Sequence, residues 1–320
     1  MNLAPLDKKR WRDLWRLRGQ VLAIALVIAS GIATMVMSVA TVESLQTTTD
    51  AYYNRFQFAD VFADLTRAPN QLGKKIAQIE GVNNVQTRIM KVATVDIPDF
   101  NEPVLAQLLS LPVEQKPILN RLSIRKGDWF SHANADEVII SEPFADAHKL
   151  SVGDTVSVIM RGNKRELTIV AIALCPEFIY ALGPGALLPD DLRFGIFWVP
   201  EEVISAAYDL REAFNNVTLS LSYNSNLEQV LFELDALLEP YGGTNAYDRA
   251  DQLSNWFVTN EIEQQKTMAT ILPTIFIVVA VFLSNMVLGR LITTERTEIG
   301  LLKAFGYSNT EIALHYVKFV

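Results

Sequence analysis

TMATILPTIFIVVAVFLSNMVLG, residues 267–289, is 23 residues long and contains no charged side chain. Hydrocarbon offers the backbone no hydrogen-bond partner, so a chain crossing it must be a helix of about 20 mostly apolar residues. This stretch is long enough. Toward the N-terminus a second uncharged run, Gly19 to Val42, is 24 residues long. Between the runs lie residues 43–266, enough chain for one or two compact domains. The composition, 50% hydrophobic and 20% charged, is that of a soluble protein. It is the distribution of the apolar residues that points to a membrane.

Charge sets the expected orientation. Lys8, Lys9, Arg10, Arg12, Arg16 and Arg18 stand before the first run against Asp7 and Asp13, a net +4. Residues 43–266 carry −13, the stretch after Gly289 carries +1, and the whole chain carries −8. Basic flanks stay in the cytoplasm, which predicts both ends inside and an exported acidic middle. The acidic balance speaks against a nucleic-acid partner. A cleaved signal peptide is the competing reading of the N-terminus, with Ser38-Val39-Ala40 as small residues at the cleavage spacing. The run is longer than the about 7–15 residues of such apolar regions, which favours an anchor. Cys175 is the only cysteine, so no internal disulfide can form, and it is expected as a packed small side chain.

Residues 1–18 read as a cytoplasmic amphipathic helix. Trp11, Leu14 and Trp15 share one face, and the two Trp rings are expected to anchor it at the bilayer interface. In the first membrane helix (19–42), Ala25, Ala29 and Ala33 recur every four positions near Gly31, a spacing that lets another helix approach. Leu45, Thr49, Tyr52, Tyr53 and Phe56 continue the helical spacing outward. Leu253, Trp256, Phe257 and Asn260 do the same ahead of the second membrane helix (267–289). Both helices are therefore expected to extend as stalks.

The exported segment (43–266) mixes two periods. Leu72, Ile76 and Ile79 suit a short helix ended by Gly81, and Val85 to Val95 reads as a strand. Val217, Leu219, Leu221 and Tyr223 alternate with polar residues, as in a half-buried strand. Leu227, Val230, Leu231, Leu234 and Leu238 mark an amphipathic helix. Phe194 to Val199 is a strand, and Pro200-Glu201-Glu202 opens a helix. Strands at Glu137–Ser141, Val156–Met160 and Glu166–Leu174, with a hairpin turn at Gly162-Asn163, suggest a β-rich subdomain at about 125–180 inserted in an α+β domain. The predicted fold class is an α-helical membrane protein with a large exported α+β domain between its first and second transmembrane helices.

Catalytic and metal signatures are missing. There is no G-x-x-x-x-G-K-[ST], so the chain has no P-loop for ATP, and no C-x-x-C or H-E-x-x-H. His132, His148 and His315 are far apart in sequence, and His315 falls across the membrane from the other two. Asp190-Asp191 follows Pro189 and suits a turn. Ser141 lacks the G-x-S-x-G turn of a hydrolase nucleophile. The expectation is a non-catalytic chain with no metal site.

After Arg290 the chain does not simply end or enter a domain. Glu295 to Phe305 keeps helical spacing, with Ile299, Leu302 and Phe305 on one side and Leu301 beside them. Gly306 suits a position just past a helix end. Ser308-Asn-Thr-Glu311 is a capping box that starts a new helix. This predicts a short cytoplasmic helix in residues 290–307 and, at 308–320, the start of a third transmembrane helix cut off at Val320. The apolar face of the short helix must bury against lipid or against a cytoplasmic partner.

Here the sequence resembles a known family. Arg296, Glu298-Ile299-Gly300, Leu301-Leu302, Lys303-Ala304 and Gly306 are similar to the signature after the second membrane helix of FtsX-like permeases. These are the MacB-type transmembrane subunits of ABC transporters. The segment around Val138–Ser141 and Leu150-Ser-Val-Gly-Asp-Thr155 also resembles that family's exported core domain. The resemblance implies a permease subunit in the bacterial inner membrane, multi-pass, with residues 43–266 exported. ATP and Mg would sit on a partner, an ABC ATPase subunit dimer, and this chain would hold no cofactor. Residues 296–306, Phe305 included, would be the coupling helix that contacts the ATPase. Motion would pass up the stalks by mechanotransmission to move a lipid-like or peptide cargo, or to activate an exported partner protein. A second permease half or copy would complete the unit, since the family carries at least two further membrane helices. The alternative from another class is a two-helix receptor with an exported ligand-binding domain. That plan calls for a long heptad linker after Arg290, where this chain has a capped short helix. The topology is checked by a cysteine at residue 150: a membrane-impermeant maleimide should label it from the exported side, and labelling only after the cytoplasmic face is opened would refute the orientation.

Overall fold

The computed structural model describes residue 15 and residues 18–98, 100–132 and 136–317. The chain forms two compact units, one of residues 47–261 and one of the segments up to residue 46 and from residue 262. Most of the expected N-terminal amphipathic helix, Trp11 included, lies outside the described residues. Trp15 is helical and exposed, with the Arg18 guanidinium 5.8 Å from its ring centroid.

Helices are numbered α1 to α8 in chain order. Helices α1 (Arg18–Arg55) and α6 (Leu253–Thr294) hold the two apolar runs and have 38 and 42 residues. At 1.5 Å per residue they measure about 57 and 63 Å, against about 30 Å for a hydrocarbon core. Their most apolar windows are 6% and 17% buried. The core helix of a soluble protein would be mostly buried, so these are surfaces made for lipid or for other helices. Within this unit α1 and α6 meet at Gly31, where a Cβ would come within 2.8 Å of the Phe276 Cβ. The close approach falls there and not on the alanine stripe, since Ala25, Ala29 and Ala33 are all exposed.

The unit of residues 47–261 holds two sheets. The first has four antiparallel strands in the order β11 (Thr244–Asp248), β1 (Val61–Pro69), β10 (Ala213–Leu221), β2 (Val82–Arg88). Val61 pairs with Leu219 and with Asp248, and Val217 pairs with Thr87. Helices α2 (Leu72–Ile76) and α5 (Leu227–Leu238) cover one face. Leu72, Ile76, Val230, Leu234 and Leu238 pack there on Val61, Ala63, Phe214, Val217 and Leu219.

The second sheet takes β3 (Met90–Asp96), β4 (Val104–Leu111), β5 (Ser123–Gly127), β6 (Glu137–Ser141), β7 (Thr155–Met160), β8 (Asn163–Leu174) and β9 (Phe194–Pro200). Its order is β5-β8-β6-β9-β4-β3-β7, and β7 also pairs with β8. Six strands thereby close into a barrel, with β5 attached alongside β8. β4–β9 and β6–β8 are parallel pairs. Val104, Ala106, Leu108, Val138, Ile140, Val158, Leu167, Phe197 and Val199 fill one core. The alternate residues Leu109, Leu111, Ile139, Ile196 and Trp198 fill another. Strands buried on both faces read as continuous apolar runs, which explains why FGIFWVP and EVIIS show no alternation. Helices α3 (Glu142–His148) and α4 (Glu201–Tyr208) flank these strands.

Three expectations need correction. The β-rich unit does not stop at about 125–180, because β3, β4 and β9 belong to the same sheet. Val85 to Val95 is two strands in two sheets, divided at Ile89. The break follows Arg88, which turns inward onto a buried partner. The hairpin turn uses Arg161 and Gly162, both with positive φ, between the paired residues Met160 and Asn163. Positive φ at both central positions is the type I′ geometry that suits strand twist.

Gly127 ends β5 at φ +80°, and a Cβ there would lie 2.0 Å from the Val170 carbonyl oxygen. Backbone cannot yield as a side-chain tip can. Gly127→Ala should cost roughly 3 kcal/mol, read as a lowered melting temperature of the full chain in detergent.

Candidate functional site

Helix α6 stops at Thr294. Glu295 leaves helical geometry at φ −94° and ψ 18°, and α7 (Arg296–Ala304) begins. Phe305 is the C-cap, and Gly306 at φ +90° reverses the chain. The Gly306 amide donates to the Lys303 carbonyl at 3.0 Å, and the Tyr307 amide donates to the Leu302 carbonyl at 3.2 Å. This is the Schellman arrangement, which needs a left-handed residue at this place and so favours Gly. Its usual apolar contact is present too, since Leu302 and Tyr307 sit in one cluster.

Helix α8 (Asn309–Val317) starts on a reciprocal cap. The Ser308 amide donates to a Glu311 carboxylate oxygen at 2.9 Å, and the Glu311 amide donates to the Ser308 hydroxyl at 3.3 Å. Two orphan amides of the first turn are satisfied by one Ser and one Glu. Residues 318–320 of the expected third membrane helix lie outside the described residues.

Leu291, Ile312 and Tyr316 form a buried centre among α6, α7 and α8, and Leu288, Ile299, Leu302 and Tyr307 pack against it. A polar contact stands beside it: the Tyr316 hydroxyl donates to the buried Glu295 carboxylate at 2.8 Å. Nothing in the sequence pairs Glu295 with Tyr316. A carboxylate at the foot of an apolar run gives no signal of a tyrosine 21 positions on.

The sequence-predicted residues therefore divide. Ile299 and Leu302 turn inward and hold the three helices together. Leu301 and Phe305 point out, 53% and 76% exposed. Thr297 and Ala304 are exposed at helical spacing from Leu301, and Gly300 is exposed between them at helical spacing from both. A Cβ on Gly300 would meet nothing within 4 Å. Arg296, Glu298 and Lys303 are also exposed. The expected single apolar face of Ile299, Leu302 and Phe305 is thus two surfaces, because α8 takes up one side of α7.

The arrangement is a capped, rigidly turned helix presenting apolar side chains between charged ones. Among the described residues no three His, Cys, Asp or Glu side chains converge on a metal-sized space. In the other unit, His148 bonds the Leu192 carbonyl at 2.9 Å, and Asp190 caps the Leu192 amide and pairs with Arg193. The Asp190 carboxyl is held below its usual range by that arginine. These are structural duties.

The family profile described as MacB-like periplasmic core domain matches residues 21–237, and the one described as FtsX-like permease C-terminal matches residues 270–320. No curated protein matches the chain in sequence. Among solved structures the chain is similar to the periplasmic region of MacB from Actinobacillus actinomycetemcomitans. That pair is 10% identical with a TM-score of 0.40, covering 66% of this chain and 95% of that one. It is also similar to the extracellular domain of the noncanonic ABC-type transporter YknZ from Gram-positive bacteria. There the identity is 13% and the TM-score 0.39, covering 58% of this chain and 98% of that one.

Ser308→Ala should remove the cap at a cost of about 1 kcal/mol. The expected readout is roughly fivefold faster hydrogen exchange at the Glu311 amide, with α6 unaffected.

Proposed function

The chain belongs to the FtsX-like permeases with a MacB-like periplasmic core domain, membrane components of ABC transporters, and we propose that α7 is where its ATPase partner docks. The observation that carries this reading is the outward pair Leu301 and Phe305 on a helix capped at its C-terminal end and held by its opposite side. Apolar side chains of that size left in water are a standing cost, recovered on a partner at about 2 kcal/mol each. Gly300 supports the same reading. An interior helix glycine costs about 1 kcal/mol relative to Ala, and the space above it is open to an approaching surface.

Nucleotide-driven closure of an ATPase dimer would push α7. Ile299 and Leu302 would pass the push to the foot of α6 through Leu291, Ile312 and Tyr316. Both long helices would then carry it to residues 47–261 as mechanotransmission, with ATP and Mg on the partner and no cofactor here. In this reading the protein is a non-catalytic, multi-pass subunit of the inner membrane. Its basic N-terminus and α7 are cytoplasmic, and residues 43–266 are exported. A second permease half or copy completes the membrane unit. Cargo of lipid-like or peptide type, or activation of an exported partner protein, would be the output.

The test uses Leu301→Arg and Phe305→Arg in the full chain, co-purified with its ATPase. Losing one apolar contact of about 2 kcal/mol weakens docking roughly thirtyfold. Stimulated ATP hydrolysis should fall to the level of the ATPase alone while the permease still accumulates in the membrane. Stimulation retained in both variants would sink the docking assignment. Leu302→Arg is a poor substitute, since it places a charge against the inner cluster.

A further inference from the structure

Arg88 and Glu177 form an ion pair inside the unit of residues 47–261, at 5% and 4% exposure. Arg88 Nη1 donates to Glu177 Oε2 at 2.6 Å, and Nη2 donates to Oε1. Burial alone would lower the Arg88 pKa, but the facing carboxylate overrides it and holds the guanidinium above its ordinary value. A buried pair of this kind is often no more stabilising than well-packed apolar residues of the same volume. Stability is therefore a weak reason for its presence, and its neighbours supply a better one.

The other hydrogen bonds of the two residues lead to different parts of the domain. Arg88 closes β2, and its Nε donates to Asn216 Oδ1 of β10 at 2.5 Å. Asn216 in turn donates to Asp64 of β1 at 2.6 Å. These contacts reach three strands of the four-stranded sheet. Glu177 follows β8 of the barrel by three residues and accepts from Asn120 Nδ2 at 2.8 Å. Asn120 holds the end of α1: its amide donates to the Gln57 carbonyl at 2.8 Å, and its Oδ1 accepts the Ala59 amide at 2.8 Å. It does so at φ +49°, a conformation an L-residue adopts at a cost. The Glu177 carbonyl accepts from Gln252 Nε2 at 2.9 Å, and Gln252 Oε1 accepts the Asn255 amide in the first turn of α6.

The side-chain pair therefore ties the four-stranded sheet to Asn120 at the end of α1, and the Glu177 main chain, just past β8 of the barrel, holds the start of α6. Apolar contacts are non-directional and tolerate sliding. Charged hydrogen bonds fix distance and angle together. We propose that Arg88–Glu177 is the joint that makes the ends of α1 and α6 move as one body with both sheets, so that displacement of either helix reaches the whole exported domain. Glu177 is a positioning residue in this scheme. The use of the joint rests on the force-transfer reading above, although its geometry does not.

The experiment uses the full chain in lipid nanodiscs with pairs of spin labels. One pair joins Asn260→Cys on α6 to Lys164→Cys on the barrel, and the other joins Asn260→Cys to Tyr223→Cys beside the four-stranded sheet. All three positions are exposed. The native Cys175 is buried, out of reach of the label. The parent chain should give one narrow distance for each pair. Glu177→Gln, and the apolar replacement Arg88→Met with Glu177→Leu, should both lose the single narrow peak while the domain still melts cooperatively. Unchanged peaks in either folded variant overturn the joint. Loss of the folded domain in both variants makes the pair a folding requirement and overturns it too. With the ATPase and ATP added, the parent peaks should shift, and in the variants the shift should not reach the barrel. A parent that does not shift overturns the force-transfer reading, while the peak widths still judge the joint.

Discussion

Hydrocarbon has nothing to offer a peptide group, and the rest of this molecule is arranged around that lack. Two segments must satisfy their amides and carbonyls internally, and both run as continuous helices, with one gap at Pro273 of α6, which has no amide to give the Ala269 carbonyl. Their side chains need only be apolar and uncharged, which leaves small residues free to set contacts. Gly31 beneath Phe276 is one such contact. The polar economy is reversed in residues 47–261, where water is available at the surface but not within. There the cost of burying Arg88 and Glu177 is offset by hydrogen bonds to each other and to Asn216 and Asn120 on different segments.

The legibility of the chain follows from the range over which each interaction acts. Length and charge run along the chain, so both apolar helices and the charge asymmetry were open to reading. Caps and turns act over three to five residues, so Gly306 and the Ser308–Glu311 box were also visible. Strand partners are set from far away. The double-sided burial of β4, β6 and β9 hid their alternation and concealed how far the barrel extends. The split at Ile89 is invisible because Arg88 looks like any polar residue on an exposed face. Nothing within reach of it in sequence names Glu177, 89 positions on.

The candidate site shows the same division at short range. Periodicity placed Ile299, Leu302 and Phe305 on one side of a helix, and as a statement about an isolated helix that holds. A second helix folded back through Gly306 takes Ile299 and Leu302 for itself. What is left for a partner is the neighbouring strip with Leu301 and Phe305. The motif that carries the family resemblance thus has two physical parts, one that builds the turn and one that faces away from it.

The pairing of β1 has a consequence for how the protein is made. Val61 follows α1 by a few residues, yet its partners are Leu219 and Asp248. During synthesis the first strand across the membrane must wait, with both edges unpaired, for more than 150 further residues to be translocated. Such long-range pairing folds slowly and leaves strand edges open to wrong partners. The parallel β4–β9 pair adds a second wait of the same kind. The four-stranded sheet therefore cannot close until its last strands have emerged, whereas the barrel takes all its strands from residues 90–200. A chain stopped short of β10 and β11 would leave both edges of β1 unpaired.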